Sequence, residues 1–413
     1  MKIAIFDYRV TLSNPIGSCH RRILSALCEE HEFVVFAPEF DNPRPDLIRY
    51  VPIKVPLRPL ALLFILFHLS TGRAWRRYRR GGGSPADLVQ SVESNCLRSD
   101  VVYAQFCHRG YLRVSGGFSL GMLLSCRSFL RWLDHRVHAL MEPIVYRAAK
   151  HVVVPSSGLA RELIREYPVL GGKVTVINNS IDIEALKSPP AHFDRMALRS
   201  QLGFTERDLV LIFTALGHFD RKGLALIMKA MNGISRTDVK LLVVGGDKSL
   251  VRNYTRRAAG LNIGKQVVFV GHQRDVRQFL WLADAFVFPT AYETFSLSTF
   301  EAAAAGLPVI VTRVHGVEDF ASDHENAFLI NRSVTAVQTA LNELLSLSAD
   351  DRRSMGQAAQ LAVSTFSVNR FASEWRSFYR SFANRVEEMH PAKPVSVVPK
   401  VDAPQKRPTA EFC

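Results

Sequence analysis

Residues 286–312 read FVFPTAYETFSLSTFEAAAAGLPVIVT, and this stretch decides the fold that the sequence predicts. A short apolar strand ends at Pro289 and a polar loop follows it. A helix is predicted over 296–305, because Gly306 is the residue type that commonly ends a helix. The next apolar strand opens at Pro308. Continuous apolar strands separated by a helix are typical of a parallel sheet that is covered on both faces.

The same alternation extends in both directions from this stretch. Strands are predicted on both sides of a Pro-Pro linker at 187–196, namely at 2–6, 33–37, 101–106, 151–154, 173–177, 209–216, 240–244, 266–270, 285–289 and 308–311. We therefore predict two doubly wound α/β domains, 1–186 and 197–366. A helix at 367–389, indicated by aromatic residues at helical spacing, is expected to pack back on the first domain. Residues 390–413 are expected to form a disordered tail.

Composition restricts the classes of protein and of partner. The chain has 413 residues with 24 Gly and 20 Pro, which excludes collagen-like and wholly disordered chains. A net charge of +14 favours an anionic partner, such as nucleic acid, acidic lipid or a phosphorylated small molecule. The 6 cysteines form no CxxC pair, so neither a zinc site nor a disulfide framework is expected. We expect an intracellular protein that does not span a membrane, because no apolar run reaches about 20 residues.

Two carboxylates accompany the helix of the opening stretch. Glu293 lies in the loop before the helix, and Glu301 lies inside it. Free backbone N–H groups at the helix start are expected to form an anion site that points into a cleft. The residues around this start are Thr294, Phe295, Ser296 and Leu297. Such a site suits a ligand with hydroxyls and phosphates, although from spacing alone Glu293 could equally be a capping acid and Glu301 a solvated helix residue.

The segment ETFSLSTFE, with the A-x-A-x-G-x-P-V-I-x-T run that follows, resembles the E-x7-E motif of glycosyltransferase family 4. That family has the GT-B fold, in which two Rossmann-like domains face a cleft. It transfers sugars from nucleoside-diphosphate donors with retention of anomeric configuration. The resemblance implies that Glu301 holds the ribose of the donor and Glu293 its sugar. It covers most of residues 1–385 and is strongest over 209–331.

A second segment, GHFDRKG at 217–223, follows a strand and opens a helix, as the diphosphate-binding segment of the family does. Arg221 and Lys222 resemble its basic pair, which would neutralise charge on a departing diphosphate. The alternative is a solvated basic pair, although cations are unfavourable at a helix N-terminus unless an anion binds there. The resemblance also places the base of the donor near Gly271 and His272.

The first domain carries weaker matches to the family. Gly17 stands where the family usually has a Gly-Gly turn beside the phosphates. His108, in FCHRGY at 106–111, resembles the acceptor-side histidine and is expected to face the cleft; a structural or surface histidine is the alternative. The predicted catalytic residues are thus Arg221, Lys222, Glu293 and His108. No metal or other cofactor is expected, because the Arg–Lys pair and the helix dipole would take the place of a metal.

Residues 57–80 read LRPLALLFILFHLSTGRAWRRYRR and combine an apolar run with arginines and two aromatic residues. Such a segment suits an anionic membrane surface, and RNA binding could use the same residue types. The alternative is a core helix followed by a solvated basic loop.

These observations predict a glycosyltransferase that uses a UDP- or GDP-sugar. Its acceptor would be a glycan or a lipid-linked molecule at the cytoplasmic face of a membrane, in polysaccharide or glycolipid synthesis. A GT-B epimerase or hydrolase and a non-catalytic, basic nucleic-acid-binding protein are the alternatives. The intact carboxylate pair and Arg–Lys pair favour the transferase, so no nucleic acid is expected as a partner.

Overall fold

The computed structural model of the protein describes residues 1–56, 60–115 and 126–389. Its framework is a pair of parallel β-sheets, one in each half of the chain, with helices between many of the successive strands. The predicted fold class, two doubly wound α/β domains, is confirmed. The tail predicted at 390–413 lies outside the described residues.

The first domain is built around a seven-stranded parallel sheet, as far as the chain is described. Its strands are β1 (Lys2–Phe6), β2 (Arg9–Val10), β3 (Glu32–Ala37), β4 (Glu39–Phe40), β5 (Ile48–Pro52), β6 (Leu88–Val92), β7 (Val101–Tyr103), β8 (His151–Val154) and β9 (Val174–Val176). Its helices are α1 (Pro15–Leu27), α2 (Leu60–Arg80), α3 (His108–Val114), α4 (Cys126–Ala148), α5 (Ser157–Glu166) and α6 (Ile183–Leu186). The spatial order is β5-β3-β1-β6-β7-β8-β9, and β2 pairs with β4 separately. The strand order therefore reverses between β1 and β6, which is where open α/β sheets bind ligands.

The second domain repeats this design with a six-stranded parallel sheet. Its strands are β10 (Leu209–Thr214), β11 (Val239–Val244), β12 (Val267–Gly271), β13 (Ala285–Phe288), β14 (Val309–Thr312) and β15 (Ala327–Ile330). Its helices are α7 (Arg195–Gln201), α8 (Phe219–Lys222), α9 (Leu224–Asn232), α10 (Lys248–Gly260), α11 (Arg277–Leu282), α12 (Leu297–Ala304), α13 (Val334–Ser346) and α14 (Ala349–Val363). The order β12-β11-β10-β13-β14-β15 places the reversal between β10 and β13.

Helices cover both faces of the first sheet. Ile3 and Ile5 of β1 lie in one buried cluster with the apolar face of α1, whereas Ala4 and Phe6 lie in another with α2. The last helix, α15 (Val368–Met389), returns from the second domain and adds Trp375, among other aromatic residues, to the cluster of α1. The C-terminal end of the described chain is thus part of the core of the first domain.

The sequence pattern misses β5, β6 and β15 of the two large sheets and also the short strands β2 and β4. In β6 the apolar run is interrupted by Gln90 and Ser91, which are nevertheless buried. Gln90 is within 2.9 Å of His20 Nε2 and accepts a hydrogen bond from Tyr379 of α15, while Ser91 accepts one from Ser99. Because these polar groups are satisfied inside the fold, burial does not require an apolar residue there.

The structure corrects the alternative interpretation of the segment 57–80, a core helix followed by a solvated basic loop. Within its described part, α2 is one continuous helix that includes the arginines, so the basic residues do not form a loop. Tyr78 is buried, and Trp75 stacks on Tyr78 and packs edge-on against Phe36. The two aromatic residues therefore contribute to the core and not to a membrane surface. Among the described residues, no helix combines the length and the apolar composition that a membrane span requires.

Candidate active site

Two short loops meet at the strand-order reversal of the second sheet. One follows β10 and leads into α8, and the other follows β13. The Lys222 ammonium donates a hydrogen bond to Glu293 Oε1, to which Thr290 Oγ1 also donates at 2.8 Å. The Arg221 guanidinium donates to the carbonyl oxygen of Tyr292 at 3.0 Å. The structure thus brings together three of the predicted catalytic residues from two segments of the chain.

The close approach of the two loops depends on Gly223. This residue has a left-handed backbone with φ of 90°, which glycine adopts without strain. A Cβ atom at this position would lie 2.2 Å from the carbonyl oxygen of Pro289 in the facing loop. Any larger residue would push Lys222 away from Glu293.

Burial shifts the pKa values of two side chains at this edge, Lys222 and Glu301. Lys222 and Glu293 have only 16% and 12% of their side chains exposed. Burial lowers the pKa of Lys222, and the charge of Glu293 opposes this change. Glu301, half-buried on α12, has its pKa raised to about 7 by burial, while the positive charge of Arg22 from the first domain opposes the rise. The edge therefore holds one ion pair and one carboxylate that titrates near neutrality.

The start of α12 presents backbone groups and not side chains. Ser296 precedes the helix with a left-handed φ of 59°, and its side chain bonds to Thr299 Oγ1 instead of capping the helix. Phe295 is buried and stacks on Phe300, and the carbonyl oxygen of Thr294 accepts a hydrogen bond from Ser156 of the first domain. The predicted helix start at Ser296 is corrected to Leu297, the first residue of α12.

Gly271, His272 and Gly17 lie on other elements than this group. Gly271 ends β12, the edge strand of the second sheet, and His272 is exposed beyond it. Gly17 lies in the first turn of α1, where its N–H already donates to Asn14 Oδ1 at 2.8 Å. A Cβ at Gly17 would lie 1.8 Å from the carbonyl oxygen of Arg9, so packing alone requires glycine there.

His108 belongs to a buried cluster at the facing edge of the first domain. It is the first residue of α3, and its Nε2 lies 3.3 Å from Glu93 Oε2, directly after β6. Its Nδ1 lies 3.0 Å from His135 Nδ1, and its ring stacks on His138 with centroids 4.4 Å apart. Asp134, one turn before His138 on α4, is buried beside that ring.

Burial keeps this cluster close to electrical neutrality. It lowers the pKa of both His108 and His135 to about 3, so both rings are neutral at pH 7. Burial also raises the pKa of Glu93 to about 8 and that of Asp134 to about 6. At pH 7 the rings of His108 and His135 and the Glu93 carboxyl are therefore mostly neutral, whereas the Asp134 carboxyl is mostly charged.

The second-domain edge, which carries Arg221, Lys222 and Glu293, faces the first-domain edge, which carries the cluster around His108. The Tyr292 hydroxyl donates to Glu162 of α5 at 2.7 Å, and its ring lies 5.1 Å from that of Phe106. The positive charge of Arg221 adds to the burial that lowers the pKa of His135. Sequence reasoning missed Glu162 as a contact residue, since nothing in a linear pattern indicates which residues meet across two domains.

The sequence also missed the residues around His108. Asp134, His138 and Glu142 follow each other at intervals of four and form one stripe along α4. This spacing could have indicated the cluster from the sequence, because a polar stripe on the buried side of a helix needs hydrogen-bond partners inside the fold. Glu93 had no such signal.

Comparisons with known proteins identify relatives of both halves of the chain. The model of the family described as glycosyl transferases group 1 matches residues 194–362, and that of glycosyltransferase family 4 matches residues 20–185. Among curated proteins, the putative glycosyltransferase EpsD of Bacillus subtilis is 26% identical over 213 residues, which are 51% of this chain and 56% of EpsD. The chain spans about half the length of the curated relatives it matches.

Solved structures resemble almost the whole chain. WaaG, a glycosyltransferase involved in lipopolysaccharide biosynthesis, matches with a TM-score of 0.73 at 18% identity, over 91% of this chain and 98% of WaaG. HepE of Anabaena, solved in complex with UDP and glucose, matches with a TM-score of 0.69 at 17% identity, over 92% of this chain and 100% of HepE. At these identities the likeness establishes the shared fold, which is GT-B.

Proposed function

Because the chain belongs to the family 4 glycosyltransferases, we propose that it transfers a sugar from a nucleoside-diphosphate sugar to a glycan or lipid-linked acceptor. Retention of configuration and a hexose as the transferred sugar are part of this proposal. The donor would lie against the second domain, and the acceptor against the first.

The observation that carries the proposal is the convergence of Arg221, Lys222 and Glu293 at the strand-order reversal. A diphosphate needs positive charge and backbone N–H groups, and the start of α12 lies in the same loop as Glu293. Glu301, on the same helix, offers a carboxylate for ribose hydroxyls. As the bond to the sugar breaks, charge grows on the leaving diphosphate, and the two cations would stabilise it.

The first donor to examine is a UDP-sugar. HepE shares the fold and was solved with UDP and glucose, which supports uridine over guanosine as a starting point. The contacts of the base would involve the exposed end of β12, where Gly271 and His272 lie.

A membrane-associated acceptor is supported by the exposed face of α2. Ile65 and Leu69 are 53% and 52% exposed, and the exposed Arg73, Arg76 and Arg80 continue the same face. A helix face with apolar residues at one end and arginines at the other suits the surface of an anionic membrane. We propose a peripheral position at the cytoplasmic side, in polysaccharide or glycolipid synthesis.

A thermal-shift screen tests the donor. The full chain is mixed with UDP- and GDP-sugars, and a true donor raises the melting temperature because it binds the folded state. The shift should become clearly smaller in Glu301→Gln and stay unchanged in Glu206→Gln, which removes an exposed carboxylate of the same domain. If no nucleotide sugar shifts the parent chain, or if both variants respond equally, the proposal is wrong.

A further inference from the structure

The cluster around His108 has the composition and spacing of a metal site. One ligand atom each from Glu93, His108 and His138 lies within 4.8 Å of the other two. The Glu93 Oε2 and His108 Nε2 atoms are 3.3 Å apart. A tetrahedral zinc ion with bonds of about 2.0–2.2 Å separates neighbouring ligand atoms by about 3.3–3.6 Å. One pair thus already has the required separation. The His138 ring, which stacks on His108 with centroids 4.4 Å apart, would have to turn out of the stack to complete the set.

Groups outside this set occupy the Nδ1 atom of each imidazole and leave the Nε2 atom for a metal. His138 Nδ1 lies 2.7 Å from Ser94 Oγ, so its Nε2 is the nitrogen that remains for a metal. His108 Nδ1 is likewise engaged, by His135 at 3.0 Å, which leaves Nε2 for coordination. Hydrogen bonding of the second ring nitrogen is a regular feature of histidines that bind metals.

Asp134 provides an independent observation that favours a cation at this position. It is 7% exposed, and its Oδ1 atom has no hydrogen-bond partner among the described residues. That oxygen lies 3.7 Å from His138 Nε2, which is too far for a hydrogen bond. A buried carboxylate oxygen without a partner is costly, and a cation between Asp134 and His138 would satisfy both groups.

We propose that Glu93, His108 and His138 bind one divalent transition-metal ion of the zinc class at the first-domain edge of the cleft, with Asp134 as the available fourth donor. Two imidazoles and one carboxylate, all nitrogen or oxygen donors, favour zinc over magnesium or calcium, which prefer oxygen ligands alone. The proposal concerns metal binding and does not depend on sugar transfer.

Metal binding is measured on the full chain without an affinity tag. Calorimetric titration with Zn²⁺, and elemental analysis after dialysis, should show one ion per chain. With Co²⁺ as the probe, the weak absorption of the hydrated six-coordinate ion should change to the stronger absorption of a four-coordinate site. His138→Asn should weaken Zn²⁺ binding at least tenfold, and Ser94→Ala, which frees the second ring nitrogen, should weaken it about 10–100-fold.

His151→Asn is the matched control, since His151 lies on β8 of the same domain, outside the proposed site. It should bind Zn²⁺ like the parent. Glu93→Gln, which keeps the side-chain shape, provides a second ligand variant if His138→Asn does not fold. The proposal is overturned if the parent binds less than one ion after dialysis, or if Glu93→Gln and His151→Asn bind with equal affinity.

One consequence rests on the proposed function. His108 cannot use Nε2 both as a metal ligand and as a hydrogen-bonding group toward a sugar, so bound Zn²⁺ should slow transfer severalfold. If Zn²⁺ binds stoichiometrically and no nucleotide sugar binds, the metal site stands and the transferase assignment fails. If the donor binds and Zn²⁺ does not, the reverse holds.

Discussion

The two edges of the cleft differ in the charge of the side chains that they present. The second-domain edge pairs opposite charges, Lys222 with Glu293, on two loops that lie next to each other at the strand-order reversal. The first-domain edge gathers imidazoles and carboxyls whose burial removes their charge, as at His108 and Glu93. Fixed charge suits a polyanionic donor, whereas neutral groups suit sugar hydroxyls, and a bound metal ion would hold Glu93 in its deprotonated form. The comparison predicts that substitutions at the two edges affect different steps.

The largest expected effect comes from the cations of the second-domain edge. Lys222→Ala and Arg221→Ala should each lower the single-turnover rate of transfer by on the order of 10²–10³, because their contacts strengthen as charge builds on the diphosphate. Donor affinity, measured by calorimetry, should fall much less. Rate and affinity are therefore measured on the same preparations.

Lys248→Ala is the control for this prediction, since it removes an exposed lysine of the same domain. It should leave both quantities unchanged. Parent-like rates in both Lys222→Ala and Arg221→Ala would mean that the paired charges serve only to join the two loops.

A smaller effect is expected for the carboxylate on α12. Glu301→Gln should weaken binding of the nucleoside diphosphate by about 1.5–3 kcal/mol, the usual strength of a hydrogen bond to a charged group. This is a factor of about 10–150 in affinity. The same substitution should leave Zn²⁺ binding at the other edge unchanged, and a loss of both would contradict the separation of the two edges.

The raised pKa of Glu301 adds a pH dependence with a defined sign. With a pKa of about 7 in the fold and an ordinary value of 4.5, the folded chain holds a proton that the unfolded chain releases between these values. The stabilising contribution of this proton is present at low pH and is lost as pH rises through about 7. Parent and Glu301→Gln should therefore differ most in melting temperature, in favour of the variant, above pH 7. A constant difference from pH 4 to pH 9 would contradict the raised pKa.

The contrast between the edges also explains what the sequence could predict. The segments 217–223 and 289–301 each carry their chemistry within a few consecutive residues, so a linear motif was sufficient to find Lys222 and Glu293. The first-domain cluster draws Glu93, His108 and His138 from β6, α3 and α4, and only the fold brings them together. Polar β6 was missed for the same reason, because its partners are distant in sequence.

An effect of about tenfold is expected at the surface of the first domain. Arg76→Ser with Arg80→Ser should weaken sedimentation with anionic vesicles about tenfold near physiological salt. Each arginine contributes about 1 kcal/mol near an anionic surface, and screening over about 8 Å reduces this value. The matched control is Arg252→Ser with Arg256→Ser, an exposed pair with the same spacing on α10. Equal sedimentation of both double variants would argue for an acceptor that is not bound to a membrane.

The smallest effect is expected from removal of metal, and it tests both edges at once. At the second-domain edge we propose that Arg221 and Lys222, which no chelator removes, supply the positive charge that a departing diphosphate needs. Transfer should therefore not be lost in excess EDTA. At the first-domain edge EDTA would release a bound ion from His108, so preparations that carry Zn²⁺ should become faster on chelation, and added Zn²⁺ should reverse the gain. Loss of transfer in EDTA with recovery on Mn²⁺ would show that a metal, and not the Arg–Lys pair, neutralises the diphosphate.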